Sequence, residues 1–137
     1  MSFSDYLEDK ILDHVFGGTS YTAPTTLYVG LFTSTASDSA AGTEVSGNGY
    51  ARQTAAFTVS GTSPTTAATS AAIEFPEATG SWGTITYAGV FDALTGGNML
   101  AYAELTDPAD FTTPLSKTVS TGDVLRINSG NLKVTLD

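Results

Sequence analysis

Residues 75–105 read Phe-Pro-Glu-Ala-Thr-Gly-Ser-Trp-Gly-Thr-Ile-Thr-Tyr-Ala-Gly-Val-Phe-Asp-Ala-Leu-Thr-Gly-Gly-Asn-Met-Leu-Ala-Tyr-Ala-Glu-Leu, and this stretch decides the fold. Thr84 to Phe91 is rich in β-branched and aromatic side chains, and Asn98 to Leu105 is a second extended run. Between them, Asp92-Ala-Leu-Thr-Gly-Gly-Asn supplies turn formers, with Gly96 and Gly97 free to take positive φ. That connection is longer than a two-residue hairpin loop, so the spacing predicts a hairpin closed by a turn plus a bulge.

Working outward, Thr25 to Thr33 places Leu27, Val29 and Leu31 on one face and Tyr28 and Phe32 on the other, flanking Gly30. Apolar residues on both faces predict a strand covered on both sides. Gly49 to Val59 reads as another strand, with Tyr50 and Arg52 opposite Ala55, Phe57 and Val59. Ala71, Ile73 and Phe75 alternate with Ala72 and Glu74 up to Pro76, as in a half-exposed strand. Downstream, Lys117 to Val119 and Val124 to Asn128 flank a Thr121-Gly122 turn, and Asn131 to Asp137 alternates with Leu132, Val134 and Leu136 inward. The connections are Ser34 to Asn48, Gly61 to Thr69 and Thr106 to Ser116. The first of these is long enough to read as a functional or mobile loop.

About eight strands with turn signals between them predict an all-β protein, an antiparallel β-sandwich or jelly-roll-like barrel. One short N-terminal α-helix precedes it. Ser2 to Phe16 carries Leu7, Ile11 and Val15 at i, i+4 and i+8, widened by Phe3, Leu12 and Phe16. Ser2 or Ser4 can cap this helix and Gly17-Gly18 stops it. About four turns are marginal alone, so the apolar stripe must cover something, its own domain or a neighbouring subunit. The chain therefore divides into an amphipathic helix, 1–18, and a single β-sandwich domain, 19–137.

Charge narrows the function. Of 137 residues, 14 are acidic and five basic, giving a net charge of −9. Lys10, Arg52, Lys117, Arg126 and Lys133 are scattered along the sequence, with no basic run to neutralise phosphates, so neither nucleic acid nor an anionic membrane is an expected partner. No secretory signal or membrane span is read in the sequence. Without cysteine, thiolate metal sites and cysteine nucleophiles are excluded.

The residues that remain offer little chemistry. His14 is the single histidine, too few for a two-histidine metal site, and no Gly-x-Ser-x-Gly elbow supplies a serine nucleophile. Asp107 and Asp110 in one loop, with Asp92 before the glycine turn, are the only candidate acid–base pair, and they read more simply as turn formers. Trp82, Tyr87, Tyr102, Tyr50 and Tyr28 would stack sugars if they shared an exposed sheet face; core or interface packing is their ordinary role. No cofactor, metal or catalytic residue is expected.

Four blocks carry a resemblance: Asp-Tyr-Leu-Glu-Asp-Lys-Ile-Leu-Asp-His-Val-Phe-Gly-Gly (5–18), Tyr-Thr-Ala-Pro-Thr-Thr-Leu-Tyr-Val-Gly-Leu-Phe-Thr (21–33), Gly-Thr-Glu-Val-Ser-Gly-Asn-Gly-Tyr-Ala-Arg-Gln (42–53) and Ala-Thr-Gly-Ser-Trp-Gly-Thr-Ile-Thr (78–86). In this order they resemble small virion proteins of tailed bacteriophages and prophages, labelled either tail fibre or capsid decoration (cement) proteins. The resemblance implies a non-enzymatic structural component of the virion. Its first implied role is decoration of the capsid surface as a homotrimer against the major capsid protein; the alternative is a tail fibre or baseplate part. A carbohydrate-binding module is the reading from another class. Under the virion reading, the expected contact residues are Leu7, Ile11, Val15, Phe16, Tyr28 and Trp82, with the loop Ser34 to Asn48.

Overall fold

The expected hairpin forms the middle of an antiparallel sheet in a computed structural model that describes residues 1–136. In chain order the elements are β1 (Ser2–Phe3), α1 (Asp5–Leu12), β2 (Leu27–Phe32), β3 (Gln53–Ala55), β4 (Phe57–Ser60), β5 (Thr65–Thr69) and β6 (Ile73–Glu74). They continue as β7 (Gly83–Ile85), β8 (Tyr87–Phe91), β9 (Met99–Glu104), β10 (Lys117–Val119), β11 (Arg126–Ile127) and β12 (Lys133–Leu136). The main sheet has the order β1-β9-β8-β2-β3, and three small ladders, β10-β7, β11-β6 and β12-β5-β4, complete the fold. Every ladder is antiparallel, and none closes into a barrel among the described residues.

The β8–β9 hairpin has its bulge between Val90 and Phe91. Its loop is tied by Asp92, whose carboxylate accepts from the Asn98 backbone N–H at 2.7 Å and from its side-chain amide at 2.9 Å. Gly96 and Gly97 take φ of 61° and 69°, the conformation this turn needs. At its other end the run 84–91 breaks at Thr86, where the chain leaves the β7–β10 ladder for the main sheet. One predicted strand is thus two, because its residues serve two layers.

Strand β2 is covered on both faces. Val29 and Leu31 belong to the main core, with Phe75, Trp82, Ile85, Val90 and Val119 from the small ladders and the hairpin. Phe32, on the other face, joins Ala36, Phe91 and Met99 in a second cluster. The segment 34–48, read from the sequence as a functional or mobile loop, contributes Ala36 to this cluster and Val45 to the main core. The segment folds back along β2: Thr33 N–H donates to Thr43 O and Val45 N–H to Leu31 O, and Ala36 and Val45 are buried.

Gly30 and Gly89 face one another in the β2–β8 register, leaving space on the sheet for the rings of Phe32 and Phe91. These rings meet edge to face, 5.9 Å between centroids. A Cβ on Gly89 would lie 2.9 Å from two Phe32 ring carbons. Because both rings are buried, Gly89→Ala is expected to destabilise by about 2 kcal/mol through overpacking, measurable by urea denaturation.

The sequence expectation of a strandless Ser/Thr/Pro stretch at 61–69 is corrected by β5. Thr65–Thr69 has no large apolar side chain, yet it pairs with β4 on one side and β12 on the other. The terminal alternation is also only partly realised: Leu132 is buried, Leu136 is exposed, and Asp137 lies outside the described residues.

Candidate assembly surface

The helix begins later than expected because Ser2 and Phe3 pair with Tyr102 and Ala101 as an edge strand. Ser4 is the N-cap: its hydroxyl accepts from Leu7 N–H and donates to Met99 O, while its own N–H reaches Leu100 O. Asp5 N–H donates to Asp38 O, so the helix start is fastened to both the sheet and the 34–48 segment. After Leu12 the chain widens into a π-helical turn, Asp13–Gly17, ended by Gly18 at φ 75°. His14 Nδ1 then accepts the Tyr21 N–H at 3.0 Å, holding the outgoing chain against the turn.

Exposure rises along the apolar stripe. Leu7 is half-buried, whereas Ile11, Leu12, Val15 and Phe16 are 37%, 59%, 62% and 83% exposed. The first turn therefore docks on the protein's own sheet, and the last turns present four large apolar side chains to solvent. No helix among the described residues is long and apolar enough to cross a membrane. Tyr28 is half-buried on β2, opposite Thr54 and Phe91.

Trp82 is elsewhere, in the core at 5% exposure. Its ring meets Tyr50 and Phe75 edge to face, and its indole N–H donates to Asn48 O at 2.9 Å. Tyr50 stacks on Phe75 in the same cluster. Tyr87 and Tyr102 pack against the second cluster, where the Tyr102 hydroxyl donates to Asp38 at 2.5 Å. This hydrogen bond, with some burial and the Asp38 charge, raises the Tyr102 phenol above its usual range. The five aromatics considered for sugar stacking thus do not form one exposed platform.

A polar cluster that the sequence did not reveal ties three segments together. Arg52 is buried and forks onto Glu44, Nε to Oε1 and Nη2 to Oε2, each at 2.8 Å. Its Nη1 donates to Ala93 O and Gly96 O of the hairpin loop, and the guanidinium lies 3.5 Å over the Phe91 ring centre. Tyr50 donates to Glu44 at 2.7 Å and accepts from Leu31 N–H. Burial raises Glu44, but hydrogen bonds from Arg52 and Tyr50 with the guanidinium charge outweigh it and hold the carboxyl below its ordinary range. Burial and the bond to Glu44 push the Tyr50 phenol well up. Every polar group is matched, which makes this cluster a brace rather than a reactive centre.

The acid pair considered for catalysis is occupied with its own loop. Asp107 accepts from Ala109 N–H; Asp110 accepts from Thr112 N–H, Thr113 N–H and the Thr113 hydroxyl. Those donors lower the Asp110 carboxyl to about 2, as hydrogen bonds to a charged form do. No cluster of three or more His, Asp or Glu residues with metal-binding geometry is present among the described residues.

At the end of β9 away from the hairpin loop, the edge of the main sheet and the strands β10, β11 and β12 border an open groove of about 1100 Å³. Leu105, Phe111, Leu115 and Val124 give it apolar walls, and Phe111, Leu115 and Val124 are exposed.

A family model described as Podophage GP4 fiber I protein gp80 matches residues 2–135. The chain belongs to this family. It is a structural protein of the phage virion, and the family description is a fibre one. Among curated proteins, nothing matches the chain. The match gives head decoration no support.

Proposed function

We propose that this protein is a non-enzymatic subunit of a podophage tail-fibre assembly, joined to neighbouring virion subunits through the exposed end of its N-terminal helix. The family match over residues 2–135 is the observation that carries the reading. The geometry supports it physically. An apolar group of Ile11, Leu12, Val15 and Phe16 is costly to leave in water, and such patches on soluble chains mark places where another surface packs. The braced β-body holds the helix start through Ser4 and Asp5, so the apolar end is presented in one fixed orientation.

Capsid decoration remains a second reading, favoured by the absence of internal repeats in the sequence. Gold-labelled antibody on negatively stained particles separates the two. Label confined to the tail is the expected result. Label spread over the head in many copies would replace the fibre role with decoration of the lattice, and particles without label would remove the protein from the virion altogether.

A further inference from the structure

Arg52 is enclosed in its brace and Lys10 sits on the helix, within 4.0 Å of Asp9 and over the Tyr6 ring. The other three basic side chains of this acidic chain, Lys117 on β10, Arg126 on β11 and Lys133 on β12, all line the groove between the main sheet and the small ladders. Two carboxylates, Glu104 and Asp123, line it with them, and Arg126 also faces Glu74 across an exposed 3.5 Å pair of little energetic weight. Lys133 stands over the exposed Phe111 ring, 4.3 Å from its centre. The lining thus sets three basic side chains against two carboxylates around apolar walls, a local excess of basic groups on a molecule of net charge −9.

The helix has the opposite character. Residues 5–16 carry four carboxylates, Asp5, Glu8, Asp9 and Asp13, against one lysine, and their apolar end is exposed. No residue of this segment lines the groove, so neither surface is satisfied within its own chain. We infer that the helix end of one copy docks in the groove of a second copy, with Ile11, Val15 and Phe16 against Leu105, Phe111 and Leu115, and the helix carboxylates facing Lys117 and Lys133. This contact joins two different patches, so it propagates head to tail and either closes into a ring or continues as a filament, as the rotation between copies dictates. It deepens the fibre-subunit reading and rests on it, since a fibre part needs a repeating contact. Opposite charges on the helix and at the groove rim set the register of this docking.

Two variants, each defective in one half of the contact, test this by light scattering coupled to size exclusion. The helix variant is Val15→Asp with Phe16→Asp; the groove variant is Lys117→Glu with Lys133→Glu. All four positions are solvent-facing, and unchanged circular-dichroism melting establishes that each variant folds. The wild type is expected to self-associate, and each variant to lose affinity about 100-fold, as removal of central contacts does. Mixing the two variants should restore one intact contact and give a dimer that stops there. A wild type that stays monomeric, variants that assemble like it, or a mixture that remains monomeric would overturn the inference. Binding of an acidic polysaccharide in the groove of a monomeric wild type would overturn it in favour of a glycan site.

The absence of native cysteine allows a check that does not depend on the charge variants. A Phe16→Cys copy mixed with a Leu115→Cys copy should cross-link on mild oxidation, and the absence of that product would contradict the contact. Gold label on the head would remove the fibre reading while leaving this contact intact. Monomeric behaviour would remove the contact while leaving the location on the tail untouched.

Discussion

Replacing Arg52 with methionine is expected to destabilise the fold by about 3 kcal/mol, the usual cost of removing one partner from a buried ion pair. Differential scanning calorimetry would show this as a fall in melting temperature of about 10 °C. The loss follows from what Arg52 leaves behind. Glu44 would keep only the Tyr50 hydroxyl as a partner, and the Ala93 and Gly96 carbonyls would lose their donor. The hairpin loop would then lose its side-chain tie to the 34–48 segment, while the backbone hydrogen bonds of that segment to β2 remain.

The pH dependence of this effect has a definite sign. Glu44 is held below its ordinary range in the folded protein, so its contribution is present above its unfolded pKa and disappears as pH falls through the folded one. The gap between wild type and Arg52→Met should therefore narrow in acid. Removing both partners with Arg52→Met and Glu44→Leu should cost less than Arg52→Met alone, because no unpaired carboxylate remains. A double variant as unstable as the single one would contradict that account.

Trp82→Ala should have an effect of similar or greater size, about 4 kcal/mol, from lost contacts and the cavity left in the core. The indole is enclosed by Tyr50 and Phe75, and Tyr50 is held by Glu44 and Leu31, so the neighbours have little freedom to collapse inward. Trp82→Phe should be much milder, losing the Asn48 hydrogen bond but keeping an aromatic ring in the cluster. Chemical denaturation followed by circular dichroism is the suitable measurement, because Trp82 is the only tryptophan and its fluorescence vanishes in the variant. A cost below about 1 kcal/mol for alanine would place Trp82 outside the energetic core.

Parts of this fold are legible in the sequence because local chemistry dictates them. Asp92 and the Gly96-Gly97 pair specify a bulged hairpin wherever they stand between extended runs, and β2 announces two covered faces by having apolar residues on both. Ser4 is one of two caps the pattern allows; only the pairing of Ser2 with Tyr102 decides between them. The resemblance to phage virion proteins likewise leads to the family, although its decoration role has no support in the match.

Other parts depend on partners distant in the chain. Strand β5 consists of threonine and alanine, and its state is set by β4 and β12 on either side. Glu44 and Arg52 are eight residues apart and share no helix or strand, and their meeting depends on the return of 34–48 along β2. A faint signal existed: an arginine beside Tyr50 in a chain with five cations. Trp82, expected among contact residues, sits in the core because Asn48 and Val119 draw its backbone and indole inward. For the helix, periodicity identified the apolar stripe, and only the structure divides it into a docked Leu7 and an exposed Val15 and Phe16.

The most direct test of the account is the copy number of the Val15→Asp, Phe16→Asp variant in phage particles, measured by quantitative mass spectrometry against wild-type particles. The expected result is at least a tenfold loss from the virion while the purified variant melts at the wild-type temperature, since both side chains face solvent in the isolated protein. Incorporation at the wild-type level by an equally stable variant would contradict the helix end as the surface that builds this protein into the particle.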